Sequence, residues 1–155
     1  MQVTHFLSPI GMVQITEERE CITQIRFADG EVIPLPYSSA VLDECIAQLD
    51  AYCNSGLKEF DLPLAPKGTD FQKLVWAELQ NIPFGKTVSY LDMAKRLGDP
   101  NVIRAAGTAN GKNPLAIVIP CHRVIGSDGS LTGYAGGLKQ KQWLLEHESS
   151  QITLF

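Results

Sequence analysis

The stretch SYLDMAKRLGDPNVIRAAGTANG, Ser89 to Gly111, decides how this chain is folded. Ser89 can cap a helix from Tyr90 to Leu97, because a serine oxygen takes up an amide left free at a helix start. Gly98-Asp99-Pro100 then turns the chain, and Asn101 is the expected cap of a second helix, Val102 to about Ala109. Two short helices around a glycine-containing turn make a helix-turn-helix candidate. The second helix, Arg104-Ala105-Ala106-Gly107-Thr108-Ala109-Asn110-Gly111, offers almost no bulky side chain. Small residues let a backbone come close to another surface, either a neighbouring helix or a DNA groove. Arg104 is the one long cation there. The plainer reading is tight helix packing with Arg104 in solvent.

Outward from this core, Thr69 or Asp70 can cap a helix from Phe71 to about Asn81, which Pro83-Phe84-Gly85 breaks. Pro63, Pro66 and Gly68 mark a boundary, giving domains 1–66 and 67–155. On the other side, Leu115 to Ile119 reads as a buried strand that emerges into Pro120-Cys121-His122-Arg123. Gly126, Asp128 and Gly129 form a turn. LTGYAGG, Leu131 to Gly137, is a glycine-rich loop with one aromatic, and Leu138 to Glu148 returns to helix. The loop lacks the GxxxxGK[ST] pattern of a phosphate cradle, so a nucleotide site has little support.

The first half reads as a small sheet with a helix. Residues 3–8 and 12–16 are two strands around Ser8-Pro9-Ile10-Gly11, and Cys21 to Phe27 is a third, closed by Asp29-Gly30. Val32 and Ile33 continue in another strand. Ser38 to Cys53 carries Val41, Leu42, Cys45, Ile46, Leu49 and Tyr52 at helical spacing, ending near Gly56. Phe60, Leu62 and Leu64 alternate as a short final strand. The fold class is therefore α+β, a sheet-plus-helix domain followed by a mostly helical one.

At 155 residues, with 45% hydrophobic and 19% charged, the composition is that of a globular chain. No apolar run is long enough to cross a bilayer, and the start lacks a signal-peptide pattern, so a cytosolic or, in a eukaryote, nuclear place is expected. The net charge of −4 is unevenly spread. Residues 1–66 hold three Lys or Arg against ten carboxylates, a balance of −7; residues 86–145 hold eight against three, a balance of +5. A basic half favours a polyanionic partner, although a solvated face explains the charges equally well.

Cys21, Cys45, Cys53 and Cys121 form no CxxC pair and no disulfide framework. Cys45 and Cys53 read as small core residues. Cys121 stays open to three readings, namely packing, redox sensing and nucleophilic attack. His122 is the obvious base for it, and Glu146 or Glu148 the obvious orienting carboxylate, because a thiol becomes a nucleophile by losing its proton to an oriented base. His147 competes, but on a helix with Trp143 and Leu144 it reads as serving packing or solvent.

The run IPCHRVIGSDGSLTGYAGGLKQKQWLLEHE, Ile119 to Glu148, resembles the O6-alkylguanine-DNA alkyltransferases. PCHR followed by GYAGG and WLLEHE is a specific combination, and the resemblance reaches back to about Phe71. The first half resembles the family only through SPIG at residues 8–11 and its layout. The resemblance implies a ribonuclease-H-like N-terminal domain and a winged-helix-like C-terminal one. It implies a single-turnover repair protein that binds double-stranded DNA from the minor groove, as a monomer by default and without cofactor or metal. It flips O6-alkylguanine, with O4-alkylthymine as a further candidate, and moves the alkyl group to its own cysteine. Carried over, Cys121 is the acceptor, His122 takes its proton through a water, and Glu148 orients His122. Asn113 is a hinge, Arg104 replaces the flipped base, and Tyr90 and Tyr134 line the pocket, Tyr90 also near the proton that the leaving guanine takes up. Val124 and the Ala135 backbone contact the base. Asn110, Lys112 and Arg123 join the DNA-binding set.

Some members carry serine where this chain has Ala135, so acceptance of adducts larger than methyl is expected. Others bind zinc in the N-terminal domain, where this chain offers only His5 and Cys21. Two rival readings are a DNA-binding module without chemistry and a multiple-turnover cysteine hydrolase using Cys121 and His122.

Overall fold

The computed structural model describes residues 1–28, 39–131, 134 and 136–153. The strand expected at Val32 and Ile33, its Asp29-Gly30 turn and the Ala135 backbone contact lie outside them. The architecture is mixed α and β, in two compact units. One comprises Met1–Lys67 with Pro114–Ala116, the other Gly68–Asn113 with Ile117–Phe155.

The first unit is built on an antiparallel meander of β1 (Gln2–Ser8), β2 (Gly11–Glu18) and β3 (Cys21–Phe27). Arg19 and Glu20, with φ of 51° and 64°, make the two-residue turn between Glu18 and Cys21 whose twist suits a hairpin. A bulge at Thr16/Glu17 breaks the alternation of buried residues along β2. Helix α1 (Ala40–Asn54) is capped by Ser39, whose oxygen accepts from the Leu42 amide, and buries Leu42, Cys45, Leu49 and Tyr52. Those side chains join Val13, Ile15, Ile22 and Ile25 in the core.

Two short segments cover the open edge of β3, an edge that would otherwise present unpaired backbone groups. The Ile22 amide donates to Pro63 O and the Ala65 amide to Ile22 O; the Ile25 amide donates to Pro114 O and the Ala116 amide to Ile25 O. The strand expected over Phe60, Leu62 and Leu64 is therefore reduced to a single bridge at Leu64. The reason is local. The Gln48 side chain donates to Asp61 O and accepts from the Asp61 amide, taking the place of a partner strand. Leu115 to Ile119 likewise contains one bridge, at Leu115, and no strand. Ile117 has a φ of 72°, which no extended strand allows and which a β-branched residue rarely adopts.

In the second unit, α2 (Asp70–Leu79) opens on a full capping box of Thr69 and Gln72. Another box, Ser89 with Asp92, starts α3 (Tyr90–Arg96). The next helix, α4, runs Ile103–Gly111 and is preceded by a 3-10 turn at Pro100–Val102. The 3-10 turn is capped by Asp99, whose carboxylate accepts from the Asn101 amide, and α4 itself starts from Val102 with no side-chain cap where the sequence implied Asn101. Trp76 is buried and donates from Nε1 to Ala109 O, which ties α2 to α4. Gly68 makes room for it, since an added Cβ would lie 2.4 Å from the Trp76 ring. Helix α5 spans Leu138–Thr153. Among the described residues no helix is long and apolar enough to cross a membrane.

Candidate active site

Pro120 ends the apolar run, and Cys121–Arg123 form a buried 3-10 turn. β5 (Val124–Ile125) follows at once and pairs in parallel with β4 (Val88–Ser89), Val88 opposite Val124. β4 leads directly into α3, so this two-residue pairing sets Tyr90 at a fixed place relative to the cysteine turn. The Tyr90 ring lies against α4 at Gly107, where an added Cβ would meet it at 3.6 Å.

Two asparagines hold the turn from the α4 side. Asn113 donates from Nδ2 to Ile119 O at 2.8 Å, and Asn110 from Nδ2 to Cys121 O at 3.4 Å. Asn110, which the sequence reading puts in the substrate- and DNA-binding set, is buried here against the cysteine turn.

Behind the turn sits a buried ionic cluster. His122 Nε2 is 2.8 Å from Glu148 Oε2. Arg123 grips the same carboxylate at both oxygens, Nε to Oε1 at 2.8 Å and Nη2 to Oε2 at 3.0 Å. Its Nη1 donates to Ile82 O at 2.7 Å, and its guanidinium lies 5.7 Å from the centre of the Phe84 ring. The sequence reading places Arg123 in the DNA-binding set. At 6% exposure, with its donors committed to Glu148 and Ile82, it is a structural cation of the site. Glu146, the other candidate carboxylate, is exposed and accepts from Gln142. His147 stacks on Trp143, with ring centres 4.7 Å apart.

These surroundings set the charges. Burial pushes the Cys121 thiol up, while the Asn113 hydrogen bond and the charge of Lys141 pull it back. Burial lowers His122, Glu148 raises it, and the charges of Arg123 and Lys141 lower it further; the net direction is down, so His122 rests as neutral imidazole. Burial raises the Glu148 carboxyl, but the hydrogen bonds and charges of His122 and Arg123 outweigh that and hold it far below the usual carboxylate range. Tyr134 has a buried hydroxyl and is held well above the ordinary phenol range by burial and by the nearby charges of Cys121 and Glu148. The arrangement is a buried thiol followed in the chain by an imidazole whose Nε2 is pinned to a permanent carboxylate, the set of groups from which a nucleophile is activated.

Arg104 on α4 and Lys112 just past its end stand apart from this cluster, both exposed. Sequence reasoning missed Lys141, which is fully buried and donates from Nζ to Val124 O at 2.7 Å. A signal was present: Lys141, Leu144 and Glu148 lie three and four residues apart, on one helix face. The Ile82 carbonyl left no signal at all.

The family model for the DNA-binding domain of 6-O-methylguanine DNA methyltransferase matches residues 70–150. A methylated-DNA–protein-cysteine methyltransferase of Methanosarcina acetivorans is 46% identical over 150 residues, covering 94% of this chain and 96% of the relative. The crystal structure of Mycobacterium tuberculosis O6-methylguanine methyltransferase superposes with a TM-score of 0.85 at 41% identity, covering 99% of both chains. A structure of the Mycobacterium tuberculosis protein in complex with DNA gives 0.88 at 41% identity, covering 97% of this chain and 94% of that one.

Proposed function

The chain belongs to the 6-O-methylguanine DNA methyltransferase family, and on that premise we propose which of its residues carry the reaction. The activity is that of a methylated-DNA–protein-cysteine methyltransferase, direct-reversal repair of DNA by alkyl transfer. The observation that carries the residue assignment is the buried turn in which Cys121 is followed by His122, itself bonded to Glu148. Cys121 attacks the O6-alkyl carbon. The S–C bond forms as the C–O bond breaks, and the electron pair stays on the guanine, which takes up a proton. The thiol proton passes to His122 through a water, and His122 is kept in orientation by Glu148. Tyr90 is placed to supply the guanine's proton, and Asn113 fixes the turn through Ile119 O. The thioether persists, so each molecule acts once.

A cysteine 6% exposed does not reach a stacked base, so the lesion is extruded from the duplex. The exposed small-residue face of α4 fits the minor groove, Arg104 fills the gap left in the stack, and Lys112 meets phosphate. Tyr134 and Val124 line the receiving pocket. The β4–β5 pair beside the two helices supports a winged-helix-like reading of the second unit, and the meander with α1 a ribonuclease-H-like reading of the first. A cytoplasmic or nuclear location, where DNA is, follows from the activity.

The test mixes the protein with duplex DNA bearing one O6-methylguanine. The Cys121 peptide is expected to gain one methylene, with transfer levelling off at one equivalent. Transfer beyond one equivalent, or label elsewhere, overturns the assignment. Arg104→Ala is expected to slow transfer from duplex DNA by roughly 10- to 100-fold, since extrusion costs a few kcal/mol and the plug is lost. Transfer from a free O6-alkylguanine base, which needs no extrusion, stays unchanged in the same stopped-time assay.

A further inference from the structure

Two buried acceptors at the cysteine turn have no hydrogen-bond partner among the described residues. One is Asn110 Oδ1 and the other is His122 Nδ1. Asn110 is 3% exposed and His122 0%. Buried polar atoms are nearly always paired, with protein or with ordered water, so each of these two needs a donor.

What the two side chains do at their other ends fixes both atoms as acceptors. The Asn110 amide meets the Cys121 carbonyl at 3.4 Å. A carbonyl only accepts, so the amide nitrogen is on that side and Oδ1 is turned away from it. His122 Nε2 is 2.8 Å from the Glu148 carboxylate, so the hydrogen of the neutral ring is on Nε2 and Nδ1 carries a lone pair. The two acceptors flank one peptide. Asn110 holds the carbonyl that joins Cys121 to His122, and His122 is the next residue. Water has two hydrogens, one for each acceptor. With both given away, it has only lone pairs left to turn toward a thiol.

We propose that Asn110 is a positioning residue of the proton transfer: Asn110 Oδ1 and His122 Nδ1 share one buried water, and Asn110 sets its orientation so that a lone pair meets the Cys121 thiol. This rests on the alkyl-transfer reading for the passage of the proton to His122, while the shared water is tested apart from it. A water held by His122 alone can rotate and aim a hydrogen at the sulfur, where it blocks the thiol proton. Bonded to both acceptors, it cannot. Two bonds donated and one accepted make the roughly three that a buried water forms. The step balances without any added reagent. The thiol S–H bond breaks and its proton joins the water oxygen. The water gives its other-side hydrogen to His122 Nδ1 and is regenerated, still bonded to Asn110. The sulfur keeps the electron pair, which then forms the S–C bond, and the imidazolium rests against Glu148. Asn110 neither gains nor loses a proton.

The first measurement is a crystal structure of the unalkylated protein, fine enough to show ordered water. One peak within hydrogen-bond distance of both Asn110 Oδ1 and His122 Nδ1 is expected. No peak there, or a peak that touches only one of the two, overturns the proposal. The second is the rate of transfer from a free O6-alkylguanine base. Asn110→Leu keeps the size of the side chain and removes both polar ends, and it is expected to slow transfer by roughly 10-fold, part of what positioned proton transfer supplies. The same change in a protein carrying Cys121→selenocysteine separates the proton from the scaffold. A selenol gives up its proton far more readily than a thiol, yet it stands on the same turn. There the loss is expected to be less than about 2-fold, because little proton transfer remains to be assisted. No loss with cysteine, or an equal loss in both proteins, overturns the proposal and leaves Asn110 as a brace for the Cys121 carbonyl. Should the leucine variant fail to fold, the crystal measurement needs no substitution and decides by itself. A protein that holds the shared water and accepts no methyl group sinks the alkyl-transfer reading and spares the water. Methyl transfer by a protein without that water does the reverse.

Discussion

Cys121→Ala is expected to abolish alkyl transfer completely while leaving the protein folded and able to bind DNA. The sulfur is the acceptor atom, and nothing near it replaces it. Displacement at a saturated carbon wants a soft, polarisable nucleophile, and the other cysteines, Cys21, Cys45 and Cys53, all belong to the other unit. Cys45 is fully buried in α1, with its thiol pushed up to about 12 by burial. Cys53 is pushed up to about 11 by burial and by the charge of Asp50. Both stay protonated and inert at neutral pH. The structural cost is small, because Cys→Ala removes one atom from a turn held by backbone and asparagine hydrogen bonds; roughly 1 kcal/mol is expected. Binding is expected to depend on the exposed Arg104 of α4 and on Lys112 at its C-terminal end, which the change does not touch. Mass spectrometry on the 121 peptide and a duplex-binding titration check the two halves. Residual methyl transfer in this variant would mean that another group is the acceptor.

The sequence was most informative where chemistry and local structure coincide. Ser89 and Thr69 could be read as caps because a capping side chain acts on its own neighbours. The thiol–imidazole adjacency of Cys121 and His122 is likewise local, and the helical face of α5 put Glu148 within reach of it. The errors arose where a partner comes from far along the chain. Arg123 looks like one more cation in a basic half, yet it is buried against a carboxylate 25 residues away and a carbonyl 41 residues away. Residues 60–64 alternate as a strand does, but a glutamine from α1 satisfies Asp61, and no periodicity carries that information. Lys141 was hidden for a related reason, since a lysine near a helix start reads by default as solvated.

Glu148→Gln is expected to cost more stability than any other single change at this site. The carboxylate is 1% exposed and is the shared anion of His122 and Arg123. Glutamine keeps the shape but has one acceptor oxygen, and it turns an amide toward donors that need an acceptor. The Arg123 guanidinium is then buried with its charge unanswered. Breaking a buried ion pair by removing one partner costs about 3–5 kcal/mol. The dependence on pH follows from the direction of the Glu148 shift. Its folded pKa lies far below the unfolded value of about 4.3. Its contribution is therefore fully present above that unfolded value and is lost as pH falls through the folded one. The gap in urea midpoint between wild type and Glu148→Gln should be constant from pH 8 to about pH 5 and should narrow below about pH 4. A gap that does not narrow would show that the loss is one of packing. Activity should fall with stability in the single variant, and a double variant separates the two. Adding Arg123→Met removes the stranded charge, leaves Ile82 O without that donor at a cost of roughly 1–3 kcal/mol, and should still recover part of the lost stability. It cannot restore the carboxylate that orients His122. A double variant more stable than Glu148→Gln yet no faster in transfer would assign Arg123 to folding and Glu148 to both tasks; recovery of rate along with stability would remove Glu148 from the reaction.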